Sequence, residues 1–195
     1  MLPLEIVFVL LVVLWGLVGA VRGFSKEIGA SIAIILAMAV LRLFGPMVIA
    51  NVNNIASKLI SFRINTGGAV ARGVDPFCAN ATPEQFIFYT VAFAVIVFMG
   101  YQGETFGLPT KVGKLPGQIV GMFVGMANGY LVAGNLWYFL DKCAGYNVPV
   151  LGIKNVGVLS QTGDTIVKVL PFNLIGEPIL LLGLLFVLLI LRIAK

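Results

Sequence analysis

Leu4 to Leu41 constrains this chain more than any other stretch: an apolar run, a six-residue charged turn, then a second apolar run. Leu4–Val21 carries one charge, Glu5, at its edge. At 1.5 Å of rise per residue, a helix of that length reaches about 27 Å, close to the ~30 Å hydrocarbon core of a bilayer. Arg22-Gly-Phe-Ser-Lys-Glu27 interrupts, and Ile28–Leu41 resumes without a charge. So short a turn predicts two spanning helices packed antiparallel as neighbours.

Composition agrees. The chain has 195 residues, of which 59% are hydrophobic and 11% charged, whereas a soluble domain carries about 25% charged residues. One membrane domain over residues 1–195 is the expectation. The net charge of +5 comes from 13 Lys and Arg against 8 Asp and Glu. The basic residues stand singly at the ends of apolar runs, the pattern of interface anchors rather than of a nucleic-acid patch. There is no histidine, and the two cysteines are too few for a structural zinc site. The reading therefore carries no metal, no cofactor and no nucleic-acid partner. The first run lacks a basic n-region, so it reads as a retained helix rather than a cleaved signal peptide.

Five spans are predicted, over 4–21, 25–45, 84–101, 117–140 and 174–193, with Gly45-Pro46 ending or kinking the second. Val48, Val52, Ile55, Leu59 and Phe62 then fall on one helical stripe, opposite Asn51, Asn54, Lys58 and Ser61. That predicts an amphipathic helix over 47–64, lying in the membrane interface or packed on the protein. Residues 65–81 read as an irregular Gly-rich loop, and Thr82-Pro83-Glu84-Gln85 as a capped helix start. The fifth apolar run reaches spanning length only by including Phe172–Glu177; the alternative is a re-entrant or peripheral helix. Basic residues are densest in the short loops holding Arg22, Lys26, Lys111, Lys114, Arg192 and Lys195, which favours an outside amino terminus and a cytoplasmic carboxy terminus. Cys78 and Cys143 then share the outer side. They can pair if that side is oxidising, but free thiols are the expectation, since no sequence feature brings them together.

Gly117, Gly121, Gly125 and Gly129 recur every four residues along the fourth span, and glycines so spaced let another backbone approach closely. Asn128 and Asn135 lie near that stripe, and each needs a hydrogen-bond partner in a bilayer; they act as packing glue or line a polar path. In the first span Glu5, Val9, Val12, Gly16, Gly19 and Gly23 form a matching stripe, so the first and fourth spans are predicted to be the closest pair. Glu5 and Arg22 stand at opposite ends of one helix, about 25 Å apart, and cannot pair. Arg22, Lys26 and Glu27 read as topology anchors with a local ion pair, or as a lipid-headgroup site. No Gly-x-Ser-x-Gly, P-loop, His-Glu-x-x-His or Cys-x-x-Cys motif is present, which points away from an enzyme.

An acidic residue near the start, a span, then Gly19, Arg22-Gly23-Phe24 and Glu27 resembles the colicin V production protein (CvpA) family. Lys114-Leu115-Pro116-Gly117-x-x-x-Gly121-x-x-x-Gly125-x-x-x-Gly129 is similar to that family's Gly-rich later span. The resemblance covers roughly residues 1–140. Glu5 stands where the family usually has Asp, and a fifth apolar segment follows the usual four. It implies a bacterial inner-membrane protein needed for colicin V production or export and linked to envelope homeostasis, with no catalytic residues to carry over. Two further readings stand beside it: a structural subunit of a larger membrane complex, and a small oligomeric channel or transporter. The partners implied are membrane lipid and either other membrane subunits or further copies of the chain.

Overall fold

A computed structural model describes residues 4–59, 76–78, 83–102, 115–149 and 160–193. It is all-α: α1 (Leu4–Arg22), α2 (Phe24–Leu59), α3 (Pro83–Gln102), α4 (Leu115–Lys142), α5 (Gln161–Lys168), α6 (Pro171–Ile175) and α7 (Pro178–Ile193), with a 3-10 turn at Pro76–Cys78. Four helices are long and apolar enough to cross a membrane: α1, α2 through Ile49, α3 and α4. The chain is an all-α, multi-pass membrane protein.

The helix at the centre is α2. Its most apolar window is 56% buried, against 11% for α1. α3, α4 and α7 all pack on it. Small residues set the α2–α3 approach. A Cβ on Gly45 would lie 2.6 Å from the Tyr89 ring, and one on Gly100 would collide with Ala33. These pairs run in opposite chain directions, so α2 and α3 are antiparallel.

The charged turn joins α1 to α2 but does not make them close neighbours. α1 packs along its length on α4 and touches α2 little. Gly23 adopts φ +80°, which redirects the chain within one residue, while the Gly23 amide still donates to the Gly19 carbonyl at 2.9 Å. The loop fixed connectivity; the glycine face chose the partner.

Pro46 neither ends α2 nor separates it from the amphipathic segment: one helix runs from Phe24 to Leu59. Proline forfeits the backbone bond to the carbonyl four residues back, here Arg42, and its ring crowds that carbonyl, a local cost that the flanking turns and neighbouring helices absorb. Residues 60–64 of the amphipathic segment lie outside the described residues, as do Thr82 and most of the 65–81 loop. α3 begins at Pro83, as the capping pattern anticipates.

The segment predicted as a fifth span is not one straight helix. α6 stops at Gly176, and the helices before and after this break diverge by 73°. Pro178 opens α7 without an amide to continue the earlier ladder. α7 alone, at about 24 Å, falls short of the hydrocarbon core.

At the end of the bundle away from the turn, Phe77, Tyr89, Tyr138 and Phe172 form an aromatic plug, with Phe77 and Tyr89 centroids 4.1 Å apart and Tyr138 and Phe172 4.8 Å apart. The Arg42 guanidinium stands 5.9 Å from the ring centres of Phe77 and Phe172. Cys78 and Cys143 close this end with a disulfide, Cα–Cα 5.0 Å, across 65 residues. This overturns the free-thiol expectation: the ring cluster carries Phe77 to the end of α4, and Cys78 follows it. Glu5 also has a partner at this end. Its carboxylate accepts from the Ser160 hydroxyl, while Ser160 Oγ accepts from the Gly163 amide at 3.0 Å as the cap of α5.

Candidate functional site

The sequence-derived candidates sort into two adjoining structures, a backbone contact and a polar cluster. The contact joins α1 and α4. A Cβ on Gly121 would lie 2.6 Å from the Gly19 carbonyl oxygen, and one on Gly125 would lie 2.5 Å from that of Trp15. A Cβ on Gly19 would collide with the Gly121 carbonyl. These three positions hold backbone against backbone. Gly16 and Gly129 face side chains instead: Met126 Cγ at 2.5 Å and Trp15 Cβ at 2.6 Å.

The ladder is not uniform. Gly117 meets nothing within 4 Å, so it lies off the contact. A Cβ on Gly23 would also point into open space, and this residue serves the turn through its positive φ. Val9 is 54% exposed, so the α1 stripe is not buried throughout.

The polar cluster sits where α1, α2, α3 and α4 meet beside the turn. Arg22 Nη1 donates to Glu27 Oε1 at 3.0 Å, and Nη2 donates to the Tyr101 carbonyl at 3.3 Å. Its guanidinium lies 4.5 Å from the Tyr101 ring centre. The Tyr101 hydroxyl accepts from Trp15 Nε1 at 3.0 Å. On the other side, Asn128 Nδ2 donates to Glu27 Oε2 at 2.8 Å and to the Glu27 carbonyl oxygen at 3.0 Å. The Ser31 hydroxyl stands 2.6 Å from Asn128 Oδ1 and 3.0 Å from the same carbonyl, with one proton to give.

Glu27 is thus no surface anchor. It is fully buried, whereas the Arg22 side chain is 24% exposed. A carboxylate inside a bilayer persists only when paired and hydrogen-bonded, and here each oxygen has its own donor. Lys26, one position earlier, is exposed and outside the cluster. Asn135, on the next turns of α4, is buried and donates to the Leu131 carbonyl of its own helix at 2.6 Å. Its Oδ1 has no partner among the described residues.

Sequence reasoning placed Asn128 with the glycines and Glu27 with the anchors, and did not join them; it missed Ser31, Trp15 and Tyr101. The usable signal was Glu27-x-x-x-Ser31, two polar residues on one face of an otherwise apolar helix. Among the described residues there is no group of His, Cys, Asp or Glu that could hold a metal ion. No family model, curated protein or solved structure matches the chain. Fold and site define a multi-pass helical membrane protein whose buried charge is closed within the bundle.

Proposed function

We propose that the chain is a non-enzymatic accessory protein of a bacterial inner membrane, supporting toxin production or export and envelope homeostasis, as its resemblance to the CvpA family implies. One observation carries the non-catalytic part. Both Glu27 oxygens are occupied, by Arg22 and Asn128, which suits a lock between helices rather than a group free to take or give a proton.

In this reading the amino terminus faces outside. The Cys78–Cys143 disulfide supports that orientation: Phe8 of α1 packs 5.5 Å from Trp137 of α4, which puts the outer end of α1 beside the bridge. Disulfides persist on the oxidising side of a membrane.

A second reading, a structural subunit of a larger membrane complex, draws on α7. Ile179, Leu182, Phe186, Ile190 and Ile193 of this helix are all exposed, an apolar face that its packing on α2 leaves uncovered. Gentle solubilisation followed by native mass measurement decides between them. The accessory role predicts a chain without stoichiometric partners, together with altered envelope sensitivity and toxin release in a deletion strain. Stoichiometric unrelated subunits establish the second reading, and a homo-oligomer that conducts ions sinks both.

A further inference from the structure

The disulfide joins two thiols that reach the plugged end of the bundle at different times. Cys78 precedes α3, and Cys143 follows α4 directly, 65 positions later. Both helices are long and apolar enough to cross a membrane, so Cys143 arrives beside Cys78 only after two more crossings. At about 5–20 residues per second that interval is roughly 3–13 s. Throughout it Cys78 stands on its side of the membrane without its partner thiol.

The two positions differ in their setting as well. Cys143 is fully buried, and its amide donates to the Phe139 carbonyl at 2.9 Å, extending the ladder of α4. Cys78 closes the three-residue turn Pro76–Cys78 and keeps 8% exposure. Exchange requires access to the attacking sulfur, which the turn offers and the packed end of α4 does not. The Phe77 ring seats that turn, 4.1 Å from the Tyr89 ring of α3 and 4.7 Å from the Phe172 ring of α6. Seating Phe77 carries Cys78 to Cys143.

We propose that Cys78 is the entry thiol for a disulfide-bearing oxidant of the outer compartment, and that Cys143 resolves the adduct once Phe77 is seated. The Cys78 thiolate attacks one oxidant sulfur, forming a mixed disulfide and releasing the other sulfur as a thiolate. Cys143, its proton lost to solvent, then attacks Cys78 Sγ and expels the rest of the oxidant as a second thiol. Two protein thiols are oxidised to one disulfide, and one oxidant disulfide is reduced to two thiols. This order of events rests on the outside placement of the plugged end proposed above.

Spheroplasts synthesising the full chain are held in oxidised glutathione, which does not cross the membrane, then quenched with acid, and adducts are located by peptide mass. Cys143→Ser should accumulate one glutathione on Cys78, and Cys78→Ser should carry none on Cys143. The unaltered chain should pass through a transient Cys78 adduct that disappears as the bridge forms. Phe77→Ala should prolong that adduct, and Phe77→Leu, which keeps an apolar anchor, should prolong it less. Orientation is read separately, from Glu84→Cys or Lys26→Cys in chains with Ser at both native cysteines, since both positions are exposed. An impermeant maleimide should label Glu84→Cys and spare Lys26→Cys. The reverse labelling overturns the outside placement and the entry role together. With the expected labelling, an adduct on neither single-Ser variant or equally on both overturns the entry role alone, and an unchanged adduct lifetime in Phe77→Ala overturns the seating step.

Discussion

Asn128 Nδ2 lies 2.8 Å from Glu27 Oε2, joining residues 101 positions apart at the centre of the polar cluster. Asn128→Leu removes two donors at once and leaves a buried carboxylate oxygen and a carbonyl with fewer partners. Interhelical hydrogen bonds in membranes are worth about 0.6–2 kcal/mol, but stranding a buried charge costs about 3–5. The loss should fall at roughly 2–4 kcal/mol, measured by reversible unfolding in mixed micelles. A loss under about 0.5 kcal/mol would show that the contact contributes little.

Coupling gives a sharper test. If Asn128 acts through Glu27, the double variant Asn128→Leu, Glu27→Gln should be less destabilised than the sum of the single ones, by about 1 kcal/mol or more. Strict additivity would mean that the two residues act separately.

The glycine ladder should respond unevenly. Ala at Gly19, Gly121 or Gly125 forces backbones apart and should cost about 1–3 kcal/mol. Ala at Gly117 meets open space and should be neutral or stabilising by up to about 1 kcal/mol, because alanine is the better helix former. Equal effects at all four positions would refute the contact as described.

Gly23→Ala tests the turn rather than the packing. No atom lies within 4 Å of the new methyl, yet φ is +80°. The cost should be about 1–2 kcal/mol, and Asn, which tolerates that region better, should recover part of it. An Asn variant worse than Ala would point to a clash instead of backbone strain.

Reducing the Cys78–Cys143 bridge opens a loop of 65 residues, for which chain entropy gives about 4 kcal/mol, at the upper end of the range of about 2–4 kcal/mol typical of disulfides. Cys78→Ser should lower the unfolding midpoint, and reductant should have no further effect on that variant. An added effect of reductant would locate the redox sensitivity elsewhere.

What the sequence made legible was whatever depends on long averages or strict periods. Hydropathy over twenty residues marks α1 to α4, and a period of four marks the face on which Gly19 meets Gly121. Connectivity misled where it stood in for packing: the short turn suggested an α1–α2 pair, although nothing in a loop's length measures how well two faces fit. Of the two outcomes read at Gly45-Pro46, an end or a kink, the continuous helix excludes the end, because a single missing amide does not stop a helix that neighbours support. The Glu27 cluster escaped because its members come from four helices and hold together only once those helices are side by side. Asn135 keeps an oxygen without a partner among the described residues; nothing in the structure explains it.

The pairing of α1 with α4 has a consequence for biogenesis. Gly19 leaves the ribosome about a hundred residues before Gly121, an interval of roughly 5–20 s at ordinary elongation rates. During that time α1 has only the lipid, and whatever insertion machinery attends it, against its glycine face. Its mean hydropathy of 2.7 keeps it in the bilayer while it waits. Assembly is therefore a delayed capture: the glycine face of α1 is held open until α4 arrives, and a chain cut short after α3 would leave that face uncovered for quality-control proteases to find.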